Sequence, residues 1–325
     1  MSKMITFKKL AMCSLTTAAM VAASQGAFAH TRLETPVAIE GVKTHNSVNI
    51  SHGCPPTTAR KPTYGTIVLF PNNVDYVPVI GVDSTSGNAA SKTALFPTGN
   101  LVQLGKGTAK VFTTNPLSTY ITTPLASLGS LIHNGGPFPS ENIKVDSKNN
   151  ILGYWAGGKA YDQTVSTIIQ TDFSTPAISI VPKSCVRSVT FELAIADVCD
   201  ASVPSATAKD EEVLYWSPIP NFAGVPGQPF GATVADATRS IPTGPAYSKF
   251  DGYADTAHTI AGDGWGSPAT LTIVRNLNTN PLPGGCTGNG GFGDDVYVYP
   301  DAKQINDHMP VWSGIHKGEG TNYWN

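Results

Sequence analysis

Short runs rich in valine, isoleucine, threonine and tyrosine recur along the chain between turn-forming residues. The clearest lie at residues 48–50, 66–70, 77–82, 109–113, 164–171, 177–181, 188–196, 271–274 and 296–299. Runs of this length, bounded by Gly, Pro, Asn and Asp, read as strands. No segment keeps a sustained helical period with caps, although residues 127–133 leave room for a turn or two of helix. The pattern therefore predicts an all-β protein built as a β-sandwich. It changes near residue 201: residues 201–268 are rich in Pro, Gly, Ala and Thr, with apolar positions scattered rather than alternating. Unstructured connections of that length are uncommon in compact domains. The predicted organisation is a core sandwich over residues 30–200 and a loop-rich elaboration or second lobe over residues 201–325.

Composition supports a folded β protein. Of 325 residues, 41% are hydrophobic and only 14% charged, against about 25% charged in an average soluble protein. That excludes a disordered or coiled-coil chain. The 32 glycines and 25 prolines break long helices and favour short strands joined by turns. A formal net charge of −2, with no basic cluster, leaves no electrostatic footprint for nucleic acid.

Residues 1–29 have the form of an address. Lys3, Lys8 and Lys9 precede an apolar stretch over residues 10–23, and Ala27-Phe28-Ala29 offers small residues at both positions that a signal peptidase reads. The apolar run is too short for a membrane span and ends at a cleavage site, so a secretory signal peptide of bacterial style is expected. No later run approaches the ~20 apolar residues of a membrane helix. The expected location is the periplasm or the cell surface. Cys13 leaves with the signal; Cys54, Cys185, Cys199 and Cys286 remain. An even number in an oxidising compartment predicts two disulfides, with three possible connectivities. None of the four sits in a Cys-x-x-Cys pair, which argues against a zinc ribbon.

Cleavage after Ala29 would expose His30 as the first residue. An N-terminal histidine can chelate one metal through its α-amine and imidazole Nδ1. The amine titrates far below lysine and yields its proton to a metal at little cost. Two nitrogens so placed suit tetragonal Cu(II), which also heads the affinity order of the divalent metals.

His30-Thr31-Arg32-Leu33 with nearby Pro36, then Ile50-Ser51-His52-Gly53-Cys54 with Thr57-Thr58 and the strand after it, resemble the opening of the YcnI-like periplasmic copper-binding domains. Trp155-Ala156-Gly157-Gly158 is similar to that family's Trp-Ser-Gly-Gly motif. Residues 191–200, ending Val198-Cys199-Asp200, and the tryptophan-bearing stretch after them resemble its last core strands. The motifs come in the family's order and cover about residues 30–220; the C-terminal part is not covered. The resemblance implies an Ig-like or cupredoxin-like β-sandwich. In it the N-terminal histidine, His30, binds Cu(II) with one carboxylate, and Trp155 lies over the metal. It also implies the pairing Cys54–Cys199, which leaves Cys185 with Cys286.

Which carboxylate completes the site stays open. On a strand starting at His30, Glu34 shares the histidine's face because the separation is even. Glu40 does too, but would lie roughly 33 Å away on a straight strand; a turn at Pro36 would be needed to return it. Trp155 has no easily donated lone pair, so its use would be to cover the ion, exclude water and engage it through its π system. His45 and His52 form a weaker candidate second site, His52 reading first as a turn residue beside a disulfide. His133, His258, His308 and His316 share no ligand spacing. Asp307-His308-Met309 with Trp312 and His316 contains possible copper ligands but reads as a surface loop. There is no His-Glu-x-x-His, Gly-x-Ser-x-Gly or phosphate-binding loop.

Three functions compete on these grounds. The first is an exported copper-binding protein for acquisition, trafficking or homeostasis, with a membrane copper transporter or another copper protein as partner. The second is a copper monooxygenase, which would need a second histidine to complete a brace. The third is a structural or adhesive surface protein without metal.

Overall fold

In a computed structural model, the structure describes residues 31–51, 53, 61–71, 74–84, 111–113, 115–123, 135–162, 168–199, 213–217, 265–266, 269–300, 304–305 and 308–309. Fifteen strands run through them: β1 Arg32–Leu33, β2 Val37–Ile39, β3 Thr44–Ile50, β4 Thr63–Leu69, β5 Val79–Asp83, β6 Val111–Thr113, β7 Ser140–Val145, β8 Ile151–Tyr161, β9 Ile169–Thr175, β10 Val186–Glu192, β11 Ala194–Val198, β12 Val213–Trp216, β13 Trp265–Gly266, β14 Thr270–Val274 and β15 Asp294–Tyr299. The protein is all-β, and its sheets pack as a sandwich. One sheet has the order β13-β12-β11-β4-β8-β7, a second β2-β14-β10-β15-β5-β6, and a third, of three strands, β1-β3-β9. No helix among the described residues is long and apolar enough to cross a membrane.

The core lies between sheet faces that the alternation of strand residues makes apolar. Val68, Tyr154, Ile195 and Trp216 line one side; Val48, Phe173, Val189, Phe191, Leu271 and Val298 belong to the same buried cluster. Phe70 meets Phe173 edge-on, with ring centroids 5.1 Å apart. The Tyr154 and Thr171 hydroxyls pair at 2.8 Å. Burial, the largest influence, pushes the Tyr154 phenol well above its ordinary range and keeps it neutral.

The run expected as one strand over 188–196 is two. β10 and β11 are separated by Leu193, whose amide bonds to Ala269 O at 2.9 Å. The chain turns there from the β10–β14–β15 sheet into the β4–β11–β12 sheet, the kind of corner at which strands pass between layers. A bulge between Val186 and Ser188 lets both Arg187 and Ser188 address Asp295; Arg187 Nε donates to its Oδ1 at 2.6 Å and Ser188 Oγ at 2.6 Å. The strand expected over 177–181 is reduced to a single bridge, Ile121 to Ile180. Residues 127–133 lie outside the described residues.

The sheets also draw on both sides of residue 200, which the sequence pattern separates. β14 lies between β2 and β10, and β15 between β10 and β5. β14 and β15 are therefore inside a sheet with strands from the first 200 residues rather than beside it. The physical reason is that β10 is buried at every position and needs hydrogen-bonded neighbours on both edges. Cys185 and Cys286 are disulfide-bonded, with Cα atoms 5.4 Å apart, and tie the lead into β10 to the loop before β15.

Pro36 separates β1, paired with β3, from β2, which pairs in parallel with β14. Just beyond β2, Glu40 is buried. Its Oε2 accepts from Ile180 N at 2.9 Å and Asn280 Nδ2 at 3.0 Å, and its Oε1 accepts from Asn276 N at 2.7 Å. Fully buried Arg275 lies next to it in the same knot of loops.

One edge position yields a pH prediction. On β7, the outermost strand of its sheet, Lys144 is only 3% exposed, and burial lowers its ammonium from 10.5 to about 8. Below about pH 8 both folded and unfolded chains hold the proton, and the fold carries the cost of burying a charged ammonium. Between about 8 and 10.5 the folded chain releases its proton first, so stability rises with pH across that window. Lys144→Met is expected to lose that rise. Urea unfolding of both proteins at pH 7 and pH 10 measures this; a wild type equally stable at the two values contradicts it.

Candidate functional site

Residues 31–35 are held closely. Thr31 is 2% exposed, and its hydroxyl donates to Asp197 Oδ2 at 2.5 Å. Arg32 and Leu33 pair with Asn49 and Val48, and the Glu34 amide donates to Ser47 O at 2.9 Å. Asn46 closes the segment from both sides: its Oδ1 accepts from Thr35 N at 3.0 Å and its Nδ2 donates to Thr35 O at 2.7 Å. Chain ends are poorly ordered unless tied down. This segment is tied at every residue from 31 to 35.

Asp197 is fully buried on β11. Besides Thr31, Thr66 Oγ1 donates to its Oδ1 at 2.8 Å and Trp216 Nε1 to its Oδ2 at 2.7 Å. Three donors shared between two oxygens meet the requirement that a buried carboxylate be hydrogen-bonded. Asp197, Thr66 and Trp216 escape a reading of the sequence as site residues. The signal that marks them is an aspartate inside Ala194–Val198, a strand buried at every position, where a charge has no solvent face to use.

Trp155 lies on β8 opposite Ile67, while Thr66, the next residue of β4, lies opposite both Ala156 and Asp197. Adjacent residues of a strand point to opposite faces, so Trp155 and Asp197 occupy opposite faces of one sheet. The indole leans along its own strand: a Cβ on Gly157 would lie 2.8 Å from its Cζ3 and 3.2 Å from its Cε3, and 3.2 Å from Gly65 Cα. Gly65 and Gly157 face each other across the strands, one row nearer the start of β4 than Thr66. The Trp-Ala-Gly-Gly spacing is thus explained by packing, since only glycine at 157 lets the ring lie down. Gly157→Ala is expected to displace the ring and cost ~1–3 kcal/mol. Near-UV circular dichroism and thermal unfolding read both effects, and unchanged spectra with an unchanged Tm contradict the packing.

Other pieces of the sequence motifs gather at this end of the sheet. Gly53, from the His-Gly-Cys turn, packs so closely on the lead into β4 that a Cβ there would lie 2.0 Å from Lys61 O. Cys199 directly follows β11 and is disulfide-bonded; Cys54, which the resemblance pairs with it, lies outside the described residues, as do His30 and His52. Gly53 and Cys199 thus lie near the start of β4 and the end of β11, with the Trp155 ring and the Thr31–Asp197 bond on opposite faces of the sheet.

The two candidate carboxylates are in different situations. Glu34 is exposed, directly beyond β1. Glu40 has both oxygens engaged by amides of the loops around residues 180 and 276–280. His45 is exposed at the start of β3, with its Nδ1 3.5 Å from Ser174 Oγ. His308 is not a bare loop residue: its Nε2 lies 2.9 Å from the Tyr76 hydroxyl, and neighbouring Met309 is fully buried. His133, His258, Trp312 and His316 lie outside the described residues. Among the described residues, no three His, Cys, Asp or Glu side chains gather in a way that could hold a metal ion. No family model matches the chain, and no curated protein matches it.

Proposed function

We propose that this protein is exported and binds one Cu(II) ion through His30, exposed as the first residue once the signal peptide is removed. The reading belongs with the YcnI-like resemblance and gives the protein a role in copper acquisition, trafficking or homeostasis, outside catalysis. Its partner in that role is a membrane copper transporter or another copper protein of the periplasm or cell surface.

The observation that carries it is the clamping of residues 31–35, with buried Thr31 bonded to Asp197. A terminus that begins with histidine by accident has no need of an anchor on the very next residue. The donor chemistry fits Cu(II): His30 supplies an α-amine and an imidazole nitrogen from one residue, and Glu34, exposed on the held segment, is the carboxylate best able to follow. Glu40 is the poorer choice because its oxygens already satisfy three donors. The resemblance gives Trp155 the part of an apolar cover rather than a lone-pair donor, although its strand position puts it on the sheet face opposite the Thr31–Asp197 bond. The disulfide between Cys185 and Cys286 accords with an oxidising compartment.

The test is a Cu(II) titration of protein beginning at His30, followed by EPR. Binding of about one equivalent with nitrogen coordination, lost in His30→Ala, is the expected result. A His30→Ala protein that binds Cu(II) as tightly as the wild type overturns the proposal.

A further inference from the structure

We infer that Asn289 is a guarded self-modification site: its side-chain amide pins the glycine-rich loop ahead of β15, and its conversion to aspartate or isoaspartate, started by the Gly290 nitrogen, releases that loop. This inference is independent of the copper reading. Asn289 is only 4% exposed and takes up a left-handed backbone, with φ 53° and ψ 40°. It joins the loop to the end of β5. Its backbone N–H donates to Ser84 O at 2.6 Å, and its Nδ2 donates to Gly293 O at 2.7 Å and to Asp83 O at 3.2 Å. Gly293 N closes the turn on Gly288 O at 3.0 Å, and the Cys185–Cys286 disulfide fastens the loop just before Asn289.

The chemistry comes from the residue that follows. Gly290 is exposed, has no side chain to hinder its backbone nitrogen, and the space a Cβ would fill is open. That nitrogen attacks Asn289 Cγ; the Cγ–Nδ2 bond breaks, and ammonia leaves with the proton from Gly290. Water then opens the cyclic imide at either carbonyl, giving aspartate or isoaspartate with nothing oxidised or reduced. In the closed loop the reaction is held back, because the leaving nitrogen is bonded to two carbonyls and the side chain is buried. It proceeds through local opening, so its rate follows the population of the open loop. The product does not fit back. A carboxylate would place an oxygen where Nδ2 now donates to two carbonyl oxygens, and Asn289 Oδ1 already has no donor among the described residues. Burying a charge without donors is costly, so the modified side chain leaves its place and residues 287–293 loosen from β5.

The test incubates wild-type protein, with its disulfides intact, folded and in urea at mildly alkaline pH, and follows residue 289 by peptide mapping. Conversion in both, at least ~tenfold slower in the folded protein, is the expected result. Asn289→Asp is expected to lower Tm by a few degrees and to speed hydrogen exchange at the Gly291 and Gly293 amides, while those of β4 and β8 keep their rates. The same exchange measurement on aged wild type answers the question should Asn289→Asp not fold. Absence of conversion in urea, or equal rates in the two conditions, overturns the guarded site. Unchanged exchange in the loop after the residue has become acidic overturns the release.

Discussion

Arg275→Met is expected to destabilise the fold by about 3–5 kcal/mol, the loss typical when one partner of a buried charged network is removed. Arg275 is fully buried, and its guanidinium ties residues 181–186 to Asn280. Nε donates to Val186 O at 2.5 Å, Nη2 to Val181 O at 2.8 Å and Ser184 O at 2.9 Å, and Nη1 to Asn280 Oδ1 at 2.9 Å. Burial lowers its pKa, opposed by the charge of Glu40. Methionine fills most of the volume but leaves those carbonyls without donors and the Glu40 carboxylate without its nearby cation. Lysine is expected to rescue little, because one ammonium cannot reproduce a fork that bonds four acceptors at once. Urea unfolding measures the loss; a change below about 1 kcal/mol contradicts the account of this loop knot. The same experiment bears on the site, since a Glu40 tied into this network is a structural residue.

Much of the architecture is legible in the sequence, and the part that is not has identifiable causes. The strands around Val68, Val189 and Val296 stand out because each carries a dense run of β-branched or aromatic residues, such as Thr66–Phe70 and Val296–Tyr299. β8 does not, although with 11 residues it is the longest strand among the described residues: Gly153, Gly157 and Gly158 interrupt its pattern and read as a turn. Gly157 is there to admit the Trp155 ring, and a Cβ on Gly153 would lie 1.9 Å from Val68 O, so close strand approach removes the very residues that would announce a strand. The position of β14 and β15 inside the sheet is hidden for another reason. The Pro- and Gly-rich residues 201–268 look like a boundary, and pairing between strands far apart in sequence leaves no local trace.

At the site, local chemistry is legible and long-range chemistry is not. His30 declares itself by its place after the cleavage signal, and Trp155 by its motif. Asp197 becomes meaningful only when Thr31, 166 residues away, is seen to be its partner. Glu34 and Glu40 look alike on an alternating strand until the amides around Ile180 and Asn276 are found to occupy Glu40.

The second large effect concerns the α-amine of His30. If Cu(II) is held by a ring that includes this nitrogen, acetylating it removes one of the two nitrogen donors and leaves a lone imidazole. The affinity is expected to fall by at least ~100-fold, about 2.8 kcal/mol. An imidazole acting alone would not register the change, because the histidine side chain, the strand clamp and the charge on Glu34 all remain. Nor would a site elsewhere in the chain. The measurement that tests the central claim most directly is therefore a Cu(II) titration of the protein beginning at His30, beside the same chain carrying an acetylated α-amine. One equivalent bound tightly by the first and a collapse of affinity in the second is the predicted result; equal affinity in the two contradicts it.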